Sequence, residues 1–99
     1  MRKILSRNID ILTLFYCQKP ITGYDLIGEV EKAFGVRLSP GVVYSSLLRL
    51  ERDDLLSHHL VNGKHGTRQA YNNTVTEKGR VCFLESVHAL HLLVLNVKE

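Results

Sequence analysis

The chain has 99 residues, of which 44% are hydrophobic and 23% are charged; these are globular proportions that exclude a disordered chain. Half of this length would be too short for a second stable core, so we expect a single domain spanning residues 1–99. Thirteen Lys and Arg against ten Asp and Glu give a formal net charge of +3, which permits nucleic-acid binding without establishing it.

The two cysteines, Cys17 and Cys82, lie far apart and lack the spacing of metal or redox motifs, which argues against a disulfide-framed fold. The N-terminal residues carry charge too early for a signal peptide, and the apolar stretch 87–97 is too short to span a bilayer. We therefore expect a soluble, cytoplasmic protein without a metal ion or other cofactor.

The first predicted helix spans residues 4–16. Its apolar side chains lie on more than one side of the helix, so we expect other parts of the structure to pack against it on several sides. A second helix follows Thr22, because threonine with Asp25 three residues later forms a capping-box-like start. Gly35 suits a left-handed cap at the end of this helix. Local capping signals thus delimit the second helix on both sides.

Ser39 and Pro40 favour the start of a third helix, because serine caps free amides and proline tolerates the first helical position. We expect this helix to end at about Asp53. Two short strands, residues 56–61 and 68–75, surround a tip that contains two glycines, and this pattern predicts a β-hairpin.

A last helix is expected to begin after Thr76 and to end at about Val97. The predicted fold class is therefore mainly α with a small β-hairpin wing, an α+β arrangement. It corresponds to a winged helix-turn-helix core of about residues 4–76 followed by a C-terminal dimerisation helix of about residues 77–97.

The third predicted helix buries a stripe of Val43, Leu47 and Leu50 and turns small, hydroxyl and basic groups outward. A helix of this kind after a short turn is typical of the second helix of a helix-turn-helix, which enters the major groove. The candidate DNA-contacting residues are Gly41, Tyr44, Ser45 and Arg49 on this helix and Lys64, His65 and Arg68 at the hairpin tip. For any one of the helix residues, a solvated surface position is an equally good interpretation. The hairpin tip taken alone is more typical of a solvated loop, and its position beside the third helix is what favours DNA contact. Leu48 also points partly outward, where it would touch a thymine methyl or pack on the wing.

The last predicted helix carries a heptad-like apolar stripe, and additional leucines widen it beyond what one small core can cover. A second copy of the chain would bury this surface, so we expect a homodimer that reads a palindrome-like site. The stripe consists of Phe83, Val87, Leu90, Val94 and Val97. His88 and His91 lie one turn apart beside it, but no carboxylate or cysteine completes a metal site there, so we interpret them as a polar seam.

Three runs of sequence stand out: ITGYDLI at 21–27, FGVRLSPGVVY at 34–44 and VTEKG at 75–79. They resemble the PadR family of winged-helix transcription regulators. The resemblance implies recognition-helix contacts at Ser39, Gly41, Tyr44 and Ser45, wing contacts at Lys64 and Arg68, and dimerisation through the C-terminal region. Two features depart from the family pattern: Ser45 replaces a usual proline, and Asn72 and Asn73 stand where aromatic residues usually end the second wing strand.

The leading hypothesis is a sequence-specific, double-stranded-DNA-binding transcription regulator, a repressor that acts as a homodimer. No nucleophile elbow or phosphate-binding glycine loop supports an enzyme. Two alternatives stay open: a winged helix that binds a protein through the surface around Tyr44 and Leu48, and a nonspecific nucleoid-architectural protein. The sequence shows no dedicated effector pocket, and any small-molecule effector would lie at the dimer interface.

Overall fold

The computed structural model describes residue 5 and residues 7–62 and 69–97. It contains four helices and one antiparallel pair of strands, which confirms the predicted mainly α chain with a β-hairpin. In chain order the elements are α1 (Asn8–Tyr16), α2 (Gly23–Phe34), α3 (Pro40–Arg52), β1 (Leu56–Asn62), β2 (Gln69–Val75) and α4 (Glu77–Leu95).

Three of the helices begin at a hydroxyl residue whose side-chain oxygen accepts a hydrogen bond from the amide three residues later. The pairs are Thr22 with Asp25 at 3.0 Å, Ser39 with Val42 at 3.2 Å and Thr76 with Gly79 at 2.9 Å. Gly35 ends α2 in the left-handed conformation, with φ of 68°. These caps were all predicted, because each depends on residues close together in the sequence.

The first helix is shorter than predicted. It starts at Asn8 instead of residue 4, and Arg7 before it makes no side-chain capping hydrogen bond. The Leu5 amide donates to Ser86 Oγ at 3.0 Å, so the chain at this point is bonded to α4 and does not extend α1. Residues 4 and 6 of the predicted helix lie outside the described residues.

The core lies between the helices and the base of the hairpin. The predicted stripe of α3 is buried, with Val43, Leu47 and Leu50 at most 7% exposed. The core also contains Leu14, Cys17, Leu26, Ile27, Val30, Leu55, Leu56 and Cys82. Burial of these side chains is the main force that holds α1, α2 and α3 together.

The two strands pair from Leu56 opposite Val75 to Asn62 opposite Gln69. Asn73 of β2 also pairs with Ile21 on its other side, and the two residues exchange backbone hydrogen bonds of 2.8 and 3.2 Å. The segment before α2 therefore joins the hairpin to the helical part of the fold.

The start of α4 packs tightly against the turn that follows α3. A Cβ atom on Gly79 would lie 2.0 Å from the Leu55 carbonyl oxygen, so a larger residue cannot fit without moving the backbone. Thr76 reinforces this contact, because its hydroxyl donates to the Asp54 carbonyl at 2.7 Å. The VTEKG run is thus explained by a helix cap and a close backbone approach.

Candidate nucleic-acid interface

The outward face of α3 is open to solvent. Gly41, Tyr44, Ser45 and Leu48 are all exposed, and at about 100° per residue they share one side of the helix, opposite the buried stripe. Leu48 is 69% exposed and Tyr44 is 49% exposed. Leu48 therefore does not pack on the described part of the wing.

The N-terminus of α3 belongs to the same surface. Ser39 and Pro40 are exposed, and the Ser39 hydroxyl is already engaged as the helix cap. Apart from its chain neighbours and the backbone of its own helix, no described atom lies within 4 Å of the position that a Cβ of Gly41 would take. The first turn of α3 can therefore approach another molecule closely, and its free amides favour a negative charge there.

A buried polar network fixes α3 to α1. Ser46 Oγ donates to Asp10 Oδ1 at 2.7 Å and lies 3.0 Å from Thr13 Oγ1. Arg49 Nη2 donates to Asp10 Oδ1 at 2.6 Å, and its Nε donates to Oδ2 at 3.3 Å. The hydrogen bond with Asp10 raises the pKa of Arg49. Every charged or hydroxyl side chain in this network therefore has a partner.

This network gives Arg49, a candidate DNA-contacting residue, a partner within its own chain. The Arg49 side chain is 26% exposed, and Asp10, which binds it, is 8% exposed. A two-point, partly buried pairing of this kind orients the guanidinium towards α1 and away from the open face. Arg49 holds the helix in place from within.

The wing is described only at its two strands. The predicted wing contacts Lys64, His65 and Arg68 lie outside the described residues. His58 on β1 contacts Glu51 of α3, and its ring meets Tyr71 edge-on with 4.8 Å between the ring centroids. The base of the wing is thus bonded to the C-terminal part of α3.

The apolar stripe of α4 is only partly covered. Phe83 is half-buried and its ring lies 6.2 Å from that of Phe15 on α1. Val87 and Leu90 are each 40% exposed and Val94 is 67% exposed. The other apolar residues that α4 and its end leave exposed are Val81, Leu84, Leu92, Leu93, Leu95 and Val97. The second half of α4 therefore presents an apolar surface that the described chain does not bury.

The two histidines of α4, His88 and His91, are exposed. Across the part of the chain that the structure describes, no group of three or more potential metal ligands comes together. None of the helices described is long and apolar enough to cross a membrane.

An open groove of about 740 Å³ lies between the end of α1 and α2. Its apolar lining includes Tyr16, Ile21 and Tyr24, and its charged lining consists of three cationic and three anionic side chains. Because these charges balance, the groove indicates no charge class for an effector.

Comparison with protein families settles the relationship that the sequence runs indicated. Residues 11–85 match the model of the PadR-like family of transcriptional regulators. The chain belongs to this family. Comparison with curated protein sequences gives no match.

Solved structures confirm that the chain has the winged helix-turn-helix fold of PadR-like proteins. A PadR family regulator from Eggerthella lenta superposes with a TM-score of 0.79 at 23% identity, covering 91% of this chain and 83% of that one. One from Clostridium difficile gives 0.77 at 19% identity, covering 90% and 93%. Bacillus subtilis PadR in complex with operator DNA gives 0.66 at 16% identity, covering 96% of this chain and 51% of that one.

Sequence reasoning missed two structural residues that hold the elements of the candidate interface in place. Asp10 is the only acidic residue of α1, and a carboxylate among the apolar residues of a helix that needs cover on several sides is a signal of a buried partner. Asn73 is 7% exposed, and its side-chain amide donates to the Ile21 and Tyr71 carbonyls at 3.1 and 3.3 Å. The asparagine that departs from the family pattern therefore fastens the wing strand by hydrogen bonds.

Proposed function

We propose that this PadR-like protein binds double-stranded DNA in a sequence-specific manner and acts as a homodimeric repressor on a palindrome-like operator. The observation that supports this proposal most is the open face of α3, on a helix that a buried polar network fixes from the opposite side. Precise recognition of base edges requires such a rigid, accessible helix. The similar Bacillus subtilis protein is bound to operator DNA in its structure.

In this proposal α3 lies in the major groove. The hydroxyl groups of Tyr44 and Ser45 then face base edges or phosphates, and Leu48 offers an apolar contact to a thymine methyl. Ser39 and Gly41 bring the first turn of α3 next to the backbone, where its free amides and positive dipole end attract a phosphate. Ser45, in place of the proline usual in the family, gives this protein its own base preference.

The wing supplies the electrostatic contribution. Lys64, His65 and Arg68 at the tip would contact the DNA backbone or minor groove beside α3. Each neutralised phosphate releases counterions, so affinity should fall steeply as salt concentration rises.

The homodimer forms through α4 in this proposal. The stripe of Phe83, Val87, Leu90, Val94 and Val97 would pack on the same stripe of a second copy, which removes exposed apolar area from water. The two copies of α3 would then reach half-sites about one helical turn, roughly 34 Å, apart.

Selection of bound sequences from random duplex DNA by the full chain tests the proposal. We expect one enriched palindrome, and weaker binding to it by Tyr44→Ala and Ser45→Ala. Lys64→Gln and Arg68→Gln should each remove about one phosphate contact, which lowers the slope of log affinity against log salt concentration by about one. The matched control is Lys78→Gln. Lys78 is exposed at the start of α4, after the end of β2 that is farther in sequence from the tip, and this variant should bind as the wild type does. Binding without enrichment would instead identify an architectural protein.

The exposure of Leu48 supports a second candidate function. An apolar side chain that is 69% exposed beside a half-exposed tyrosine also suits the core of a protein-binding patch. If the chain showed no DNA binding at low salt, this interaction function would replace the regulator proposal.

A further inference from the structure

Gly23, the first residue of α2, is buried directly beneath the side chain of Tyr44. A Cβ atom on Gly23 would lie 2.8 Å from Cε1 and 2.8 Å from Cζ of the tyrosine ring, and 3.0 Å from its hydroxyl oxygen. Cβ atoms in proteins do not approach other heavy atoms this closely. The ring therefore occupies the space that any side chain at this position would take.

The need for glycine at this position is steric, not conformational. Among the described glycines, only Gly35 has a positive φ, so the backbone of Gly23 is one that alanine also adopts. Gly28 lies about one and a half turns later on α2. Apart from its chain neighbours and the backbone of α2, no described atom lies within 4 Å of its Cβ position. The two glycines of α2 thus differ in what a methyl group would meet.

The kind of neighbour decides what a methyl group at Gly23 would do. At Gly79 the obstacle is a backbone carbonyl, which cannot move away without distorting the fold. At Gly23 the obstacle is the far end of a side chain that is 49% exposed and can rotate into solvent. An alanine at Gly23 would therefore redirect the tyrosine while leaving the fold intact.

We propose that Gly23 is a positioning residue for DNA recognition: it lets the Tyr44 ring lie on the first turn of α2, which fixes the direction in which the phenol hydroxyl meets DNA. The inference rests on the proposed function, in which Tyr44 contacts the operator. The resting place of the ring reduces its rotational freedom before DNA binds, so less conformational entropy is lost in the complex.

The first experiment compares Gly23→Ala with Gly28→Ala in the full chain, measured by operator affinity and thermal midpoint. We expect Gly23→Ala to bind the selected operator about tenfold more weakly, the loss of one well-placed hydrogen bond, with a thermal midpoint equal to that of the wild type or slightly higher. Gly28→Ala should keep wild-type affinity. A Gly23→Ala protein that fails to fold, or that binds as well as the wild type, would overturn the inference.

A double-mutant cycle with Tyr44→Ala separates positioning from any direct role of Gly23. Without the ring there is nothing to displace, so adding Gly23→Ala to Tyr44→Ala should change affinity by less than about twofold. Independent, additive losses would contradict the positioning role.

The same cycle distinguishes failure of this inference from failure of the proposed function. If Tyr44→Ala binds the operator as the wild type does, the proposed contact is wrong; if Tyr44→Ala weakens binding and Gly23→Ala does not, only the positioning role is wrong. Ring-proton NMR signals of Tyr44 in the free protein provide a readout that needs no DNA. They should shift in Gly23→Ala and stay unchanged in Gly28→Ala, and an unshifted ring in Gly23→Ala would refute the inference.

Discussion

The two amphipathic helices α3 and α4 differ in where their contacts come from. The side chains on the inner side of α3 are packed and hydrogen-bonded by residues of the same chain, with Val43 and Leu50 in the core and Ser46 hydrogen-bonded to Asp10. In α4, Cys82 and Ser86 are buried, whereas the apolar side chains beyond them are exposed. One helix is held by its own chain, and the other has apolar surface that the described part of the chain leaves uncovered.

Under the proposed function, this difference suits separate tasks for the two helices. A helix that meets DNA needs a fixed orientation before binding, which internal contacts provide. A helix that joins two subunits needs an apolar surface free until the partner arrives. The first helix lies between them, because Asp10 contacts α3 and Phe15 contacts Phe83 of α4.

Charges on the α4 stripe should produce the largest effect. We expect Leu90→Glu with Val94→Glu to give a monomer, because two buried carboxylates would face the partner stripe without counter-charges. Loss of the second half-site contact should weaken operator binding about 1,000-fold. Analytical ultracentrifugation and a DNA-binding titration measure the two consequences.

The matched control for this variant is Val81→Glu. Val81 is 51% exposed and lies on the opposite side of α4 from the stripe at about 100° per residue. It should leave both the dimer and operator affinity unchanged. A double variant that still sedimented as a dimer would show that α3 and α4 do not divide recognition and assembly as proposed.

Removal of the anchor beneath α3 should have the next largest effect. Asp10→Ala leaves Arg49 and the buried Ser46 without their main acceptor, which should lower the free energy of unfolding by about 3 kcal/mol. Urea unfolding at a fixed protein concentration measures this loss. Glu29→Ala removes an exposed ion pair with Lys32, 3.8 Å long, and should cost less than about 0.5 kcal/mol. Equal losses in the two variants would show that the network does not anchor the helix.

The same contrast explains what the sequence could and could not predict. The caps at Thr22, Ser39 and Thr76 were found because each signal lies within four residues, and the outward face of α3 follows from helical periodicity alone. The pairing of Asp10 with Arg49 joins residues 39 positions apart. Periodicity places a side chain on a face of its own helix but does not show which distant residue will meet it, so the pairing of Arg49 with Asp10 was not predicted.

The wing illustrates the same limit in a strand. Strand bounds were predicted within about two residues, because turn residues and alternation are local signals. The role of Asn73 was not predicted, because its backbone and amide partner Ile21 lies across the fold. Asn73, where aromatic residues were expected, thus has a structural role through its side-chain hydrogen bonds.

Loss of the Asn73 amide should have an intermediate effect. Asn73→Ala removes two hydrogen bonds and leaves the Ile21 and Tyr71 carbonyls with one donor fewer, so we expect a loss of about 1.5 kcal/mol in unfolding free energy. Thermal and urea unfolding measure it. Asn72→Ala, at the neighbouring and less buried position opposite His59, is the matched control and should change stability by less than about 0.5 kcal/mol. Equal effects would mean that the wing is not fastened through Asn73.

The smallest effect should come from the Cys17 thiol, which is buried in the core with residues of α2 and α3. Burial raises the pKa of Cys17 from its ordinary value of 9.0 to about 12. The unfolded chain therefore loses this proton near pH 9 while the folded chain keeps it, so the stabilising contribution is intact below pH 9 and is lost as pH rises towards 12. Between pH 9 and pH 10 the unfolding free energy of the wild type should fall by about 1 kcal/mol more than that of Cys17→Ala, which lacks the thiol. Urea unfolding of both proteins across this range gives the slope of unfolding free energy against pH for each. Equal slopes would show that solvent reaches this thiol in the folded state. The core beside α1 would then be as accessible to water as the apolar surface of the second half of α4.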